Sequence, residues 1–118
     1  MTQKQVVAEV TTADFDAEVL GADRPVLVKF TAQWCGPCRQ LTPVLGAIAQ
    51  EEADRLKIVE LDVDGNPDVT IRYGVMATPT LMVFRSGEPV KSLVGARPKR
   101  RLLEELADVL DEPASLRA

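Results

Sequence analysis

Apolar residues along this chain follow two rhythms, near-continuous short runs and stripes at helical spacing. Pro25–Thr31 (PVLVKFT) is apolar almost throughout and predicts a parallel strand covered on both faces. Leu56–Val63 (LKIVELDV) and Thr80–Arg85 (TLMVFR) predict two more strands. Gln5–Thr11 (QVVAEVT), short and β-branched, predicts an earlier one. Ser86–Glu88 (SGE) reads as a turn, so Pro89–Gly95 (PVKSLVG) pairs back as a hairpin strand. Between the runs lie helical stripes. Leu41, Val44, Leu45 and Ile48 give one apolar face to a long helix, which Pro43 should kink because proline removes a backbone donor. Leu102, Leu103, Leu106, Val109 and Leu110 mark the buried face of a last helix over Pro98–Leu110. Two shorter helices are expected. One is capped by Thr12 and runs through ADFDAEVLGAD, with acidic residues in its first turn. The other starts at Asn66 as cap with Pro67 in its first position.

The order is βαβαβαββα. It predicts an α/β fold with a mixed central sheet of about five strands, flanked on both faces by four helices. No repeat, low-complexity segment or linker interrupts it. Residues 1–110 therefore read as one domain and residues 111–118 as a frayed tail.

Composition narrows the function classes. The 118 residues suit one domain with one core, and 46% hydrophobic with 27% charged residues is a globular balance. A formal net charge of −4 argues against a nucleic-acid partner, which wants clustered Lys and Arg. The one basic run, Arg97–Arg101 (RPKRR), reads as a solvated helix face, with a small basic docking patch as the sharper alternative. No stretch near the N-terminus suits a signal peptide, and no window approaches a membrane span. We expect a cytosolic monomer with no membrane partner. Thiols there are usually kept reduced, and a disulfide tends to be catalytic or transient.

Both cysteines of the chain lie three positions apart in Trp34–Cys38 (WCGPC). Cys35 follows a strand and opens a helix, whose first amides lack intrahelical partners. Those amides and the helix dipole favour a thiolate, so the pKa of Cys35 falls and it becomes a nucleophile near neutral pH. Cys38 sits one turn further on the same face, close enough for an accessible disulfide. Gly36 lets another chain approach, and Pro37 stiffens the loop and suits a helix start. Thiol–disulfide exchange follows from these parts: Cys35 attacks a partner disulfide, and Cys38 resolves the mixed disulfide. Three other readings stand beside it. A zinc site would need further ligands, yet the chain has no histidine and no third cysteine. Inert core cysteines fit poorly with Gly-Pro between them. The motif could also be a relic on a binding module.

Trp34–Cys38 (WCGPC) resembles the active-site signature of the thioredoxin family. Ala77–Thr80 (ATPT) before LMVF resembles that family's cis-proline loop, and Val94–Ala96 (VGA) its third substrate-contact loop. LDVDGNPDV and YGV match in type and order, so the resemblance runs from about Val6 to Leu110. It implies a thioredoxin-like fold and a general protein-disulfide reductase, with Cys35 as exposed nucleophile and Cys38 as the more buried resolving thiol. It implies a cis bond between Thr78 and Pro79, with the backbone of Thr78 free to pair with an extended client segment. Trp34, Gly36, Pro37, Thr78, Pro79, Gly95 and Ala96 should line a flat, mostly apolar docking surface. For Trp34 a half-buried packing role, and for Gly95 a plain turn role, are the alternatives. No metal or organic cofactor is implied for this chain. The implied partners are a flavin- and NADPH-dependent thioredoxin reductase and disulfide-containing client proteins. Disulfide isomerase or oxidase activity, or a non-redox subunit on the same fold, are the other functional readings. Isomerases and oxidases of this fold often place a histidine between the cysteines.

The chain departs from the family pattern at three positions. Thr31 stands where an aromatic residue is common. Lys29 stands where a buried aspartate is usual, and Glu60 where a lysine is usual. Lys29 interrupts an otherwise buried strand. It is expected either to pair with Glu60, with the charges exchanged between strands, or to reach water along its alkyl stem. If paired, Glu60 becomes the candidate acceptor of the Cys38 proton, and Lys29 favours the Cys38 thiolate.

Overall fold

The computed structural model describes residues 7–111. Its sheet has five strands in the order β1-β3-β2-β4-β5. These are β1 (Ala8–Glu9), β2 (Val26–Thr31), β3 (Lys57–Asp62), β4 (Thr80–Arg85) and β5 (Glu88–Val94). β1 and β2 run parallel to β3, whereas β4 is antiparallel to β2 and to β5. The helices are α1 (Gly36–Glu51), α2 (Pro67–Arg72), α3 (Lys99–Glu105) and α4 (Ala107–Leu110).

β2 lies at the centre, and its alternation serves both faces at once. Leu27 joins Ile58, Leu81 and Val83 against Leu41, Leu45 and Ile48 of α1 and Leu102, Leu106 and Val109 of the last two helices. Val26, Val28 and Phe30 face the other way, onto Val59, Leu61, Met82, Phe84, Phe15, Val19 and Val69. Fully burying one such side chain contributes about 1.5–3 kcal/mol. That two-sided burial is why the strand is apolar almost without a break. Lys29 and Thr31 fall on the α1 face by the same alternation.

Several elements differ from the sequence pattern, each for an identifiable reason. The first helix is only a π-helical turn over Asp16–Leu20, closed by the Gly21 amide on the Asp16 carbonyl at 2.9 Å. Asp14 takes the Thr11 amide at 2.7 Å, and Thr12 donates its own amide to Asn66 Oδ1 at 2.8 Å, so Thr12 caps no helix. Phe15 is fixed instead by packing, with its ring 5.6 Å from those of Tyr73 and Phe84. Asn66 occupies the cap position of α2 without capping it through its side chain. Its amide is used between loops, donating to the Asp62 carbonyl at 2.9 Å. α1 runs unbroken through Pro43, which lies on its exposed side. The last helix divides at Leu106, whose ψ of 1° leaves the α region. Lys91 Nζ holds the freed Glu105 carbonyl at 2.8 Å, and Leu106, Val109 and Leu110 all remain buried. The first strand is shorter than expected in its described part, and Gln5 and Val6 lie outside the described residues. At the β4–β5 hairpin, Ser86 (φ 53°) and Gly87 (φ 82°) supply the two left-handed residues that a two-residue turn of matching twist requires.

Candidate active site

Cys35 sits at the N-cap of α1, with extended backbone (φ −97°, ψ 107°). Its Sγ accepts a hydrogen bond from the Cys38 amide at 3.1 Å, the place an N-cap oxygen usually takes. Gly36 and Pro37 fill the first turn, where the amide that proline lacks has no intrahelical role. Cys35 and Cys38 form a disulfide, with Cα atoms 5.3 Å apart. After reduction the same amide and the N-terminal end of a 16-residue helix face Cys35 Sγ and favour negative charge there.

The exposed Cys35 implied by resemblance is not what the structure holds. In the disulfide form Cys35 is 3% exposed and Cys38 is 1% exposed. Both pack with Ala32 against Val63, and the Cys35 amide donates to the Ala32 carbonyl at 3.2 Å, which draws the turn after β2 tight.

Around them the expected docking residues divide. Trp34 is 69% exposed, and its indole Nε1 donates to Asp64 Oδ2 at 2.8 Å, which ties the ring to the segment between β3 and α2. Pro37 is exposed and Gly36 half-buried. The Thr78–Pro79 bond is cis. Thr78 is half-buried, whereas Pro79 is buried and offers less surface than expected. Gly95 donates its amide to the Pro79 carbonyl at 2.9 Å and takes a φ of +99°, so a turn glycine is needed there. Ala96 packs partly on the core. Met76, two residues before Thr78, is 95% exposed, and Ile71 and Val94 are also exposed. Val94 belongs to the VGA loop already singled out in the sequence; Met76 and Ile71 were not. A methionine beside ATPT was the available signal, since an apolar residue in a loop has no core reason to be there.

Beside Cys38 lies a cleft of about 230 Å³ lined by Cys38, Lys29, Thr42, Glu60, Asp62 and neighbouring groups. Lys29 is 3% exposed. It stands opposite Glu60 in the β2–β3 register, with Nζ 3.7 Å from Glu60 Oε1. Nζ also donates to Thr42 Oγ1 at 3.3 Å. Thr42 is one turn beyond Cys38 on α1, a link that helical spacing alone would have revealed. Burial pushes the Lys29 ammonium below its ordinary value, and the Glu60 carboxylate opposes that shift. The charges are thus exchanged between the strands, and Lys29 does not reach out to water.

The cations of the basic run each face a carboxylate. Arg97 pairs with Glu105 at 2.7 Å, Lys99 with Glu51 at 2.5 Å, Arg100 with Glu104 at 3.7 Å and Arg101 with Glu105 at 3.9 Å. Among the described residues no group of three or more His, Cys, Asp or Glu is placed to hold a metal ion, and no helix is long and apolar enough to cross a membrane.

A disulfide between residues three apart at the mouth of a helix, set on a mixed sheet beside a cis-proline loop, defines a dithiol–disulfide oxidoreductase. Comparison with known proteins agrees. The family model described as Thioredoxin matches residues 6–108. A thioredoxin of Mycobacterium tuberculosis is 47% identical over 109 residues, covering 92% of this chain and 94% of the relative. A thioredoxin of Alicyclobacillus acidocaldarius is 48% identical over 101 residues, covering 86% and 95%. A bifunctional thioredoxin reductase/thioredoxin of Mycobacterium leprae is 48% identical over 105 residues, which is 89% of this chain and 23% of that protein. The chain belongs to the thioredoxin family, and its Cys35–Cys38 pair is a redox-active dithiol of a disulfide reductase.

Proposed function

We propose that the chain reduces protein disulfides with Cys35 as the attacking thiol and Cys38 as the resolving thiol. The observation that carries this assignment is the Cys38 amide on Cys35 Sγ at the mouth of α1. The Cys35 thiolate attacks one sulfur of a client disulfide. A new S–S bond forms, and the client's other sulfur leaves as a thiolate that takes a proton. Cys38 then loses its proton and attacks Cys35 Sγ. The mixed disulfide breaks, and the client departs with two thiols. Two electrons have passed to it, and Cys35–Cys38 is left oxidised. Glu60 shares the cleft with Cys38 and takes the proton lost at resolution, by way of water that the cleft can admit. Lys29 stabilises the Cys38 thiolate from the same cleft. Clients dock on the surface made by Trp34, Gly36, Pro37, Met76, Thr78 and Gly95, with strand-like pairing to the Thr78 backbone.

A separate flavin- and NADPH-dependent thioredoxin reductase returns the two electrons, in the cytosol. The name of the Mycobacterium leprae relative, which couples a thioredoxin reductase to a thioredoxin, supports that partnership. Brief iodoacetamide treatment of the reduced protein at neutral pH, followed by mass spectrometry, should label Cys35 first. Cys38→Ser should trap mixed disulfides with clients, and Cys35→Ser should abolish NADPH-driven insulin reduction. Dominant labelling at Cys38 would reverse the two roles. Oxidation of reduced clients in place of reduction would make the protein an oxidase.

A further inference from the structure

Arg97 follows the Val94–Gly95–Ala96 loop, and its guanidinium is turned back onto it. One terminal nitrogen donates to the Val94 carbonyl at 2.6 Å and to the Gly95 carbonyl at 3.2 Å. The other donates to Glu105 Oε1 on α3 at 2.7 Å. The side chain is 12% exposed; its bonds to Gly95 and Glu105 are partly buried, and its bond to Val94 lies at the surface. Glu105 is itself placed by α3, and its backbone carbonyl is held by Lys91 Nζ from β5. The Gly95 amide, in the same peptide chain that Arg97 grips, donates to the Pro79 carbonyl at 2.9 Å. A continuous path therefore runs from α3 through Glu105, Arg97 and Gly95 to the cis-proline loop.

We propose that Arg97 is a positioning residue, which fixes the Val94–Gly95 loop against Pro79 and so sets the gap in which a client's extended segment lies. The inference rests on the reading that clients dock between these loops. A planar guanidinium suits the task because it binds two carbonyls and a carboxylate at once in a fixed geometry. Its effect is on client affinity. The sulfur chemistry of Cys35 and Cys38 depends on the α1 terminus and the cleft, which Arg97 does not touch.

The test is Arg97→Gln in the full chain, with insulin as protein client and 5,5′-dithiobis(2-nitrobenzoate) as a small disulfide that needs no docking groove. KM for insulin should rise about tenfold, the scale of losing one charge-assisted hydrogen bond's worth of order. Its kcat and the rate with the small disulfide should stay within about twofold. Hydrogen exchange at the Gly95 amide should speed up by about tenfold or more. Glu105→Gln, which keeps Arg97 but weakens its anchor, should give smaller shifts in the same direction, and it serves as the measured variant if Arg97→Gln does not fold. An unchanged KM for insulin with Gly95 exchange unaltered overturns the proposal, as does an equal loss with the small disulfide. If the unaltered protein fails to reduce insulin, the docking reading falls, and Gly95 exchange alone then decides whether Arg97 holds the loop.

Discussion

Glu60→Gln removes the carboxylate that faces the Lys29 ammonium across β2 and β3. The two charged atoms are 3.7 Å apart. At an effective dielectric constant of about 20, unit charges at that distance attract by about 4 kcal/mol, and in bulk water by about 1 kcal/mol. Lys29 is almost wholly buried, but Glu60 is 34% exposed and meets the cleft, which places the pair between those limits. A coupling of about 2 kcal/mol follows. Glu60→Gln leaves a buried ammonium facing only neutral oxygens, the glutamine amide and Thr42 Oγ1, and should cost about 2–3 kcal/mol, below the range for fully buried pairs. Lys29→Met removes the burial penalty together with the attraction and leaves Glu60 facing water, so it should lie within about 1 kcal/mol of the parent. Urea unfolding of the parent, both single variants and the double variant gives the coupling directly. The same variants separate the two chemical steps. Glu60→Gln should slow release of the mixed disulfide about tenfold or more, while attack by Cys35 changes by less than about twofold. A coupling below about 0.5 kcal/mol, the scale at which independent sites simply add, would refute the electrostatic reasoning. Unchanged release would remove Glu60 from the proton path even if the pair is real.

Two further outcomes can be measured on the same proteins. Burial holds the Lys29 ammonium below its ordinary 10.5 in the folded chain, so below the folded value both states carry the proton and the burial cost is complete. Between the folded value and 10.5 the unfolded chain binds more protons, and stability therefore rises with pH. The parent should gain on Lys29→Met across that alkaline range; a difference that stays flat would mean that burial leaves the ammonium unperturbed. Trp34, the only tryptophan in the chain and the neighbour of Cys35, should brighten when the disulfide is reduced. An unchanged emission with both thiols confirmed by titration would place the indole out of reach of the sulfurs.

The chain's periodicities determine most of its architecture. Continuous apolar runs mark β2, β3 and β4 because a strand buried on two faces has no polar side, and the α1 stripe marks its buried face for the same reason. The redox pair is equally legible, because strand, Cys-Gly-Pro-Cys and helix are adjacent in sequence and the helix terminus acts within one turn. What tertiary structure alone decided lies between distant segments. Asn66 looks like a cap locally, yet its oxygen goes to Thr12, 54 residues away. Thr12 looks like the start of a helix, yet packing of Phe15 and the loan of its amide leave only a π-helical turn. The burial of Cys35 depends on the packing of Ala32 and Cys38 with Val63, which comes from the segment after β3. Arg97 belongs to a run that reads as a solvated face, yet beside two nearby carbonyls it also takes a carboxylate, Glu105, from α3. The Lys29–Glu60 partnership needs the β2–β3 register, in which a slip of one residue would put the two side chains on opposite faces. Local pattern reports which face of an element is apolar. It carries no information on which polar group of another element will stand opposite, because that is set by register and by the closing of the core.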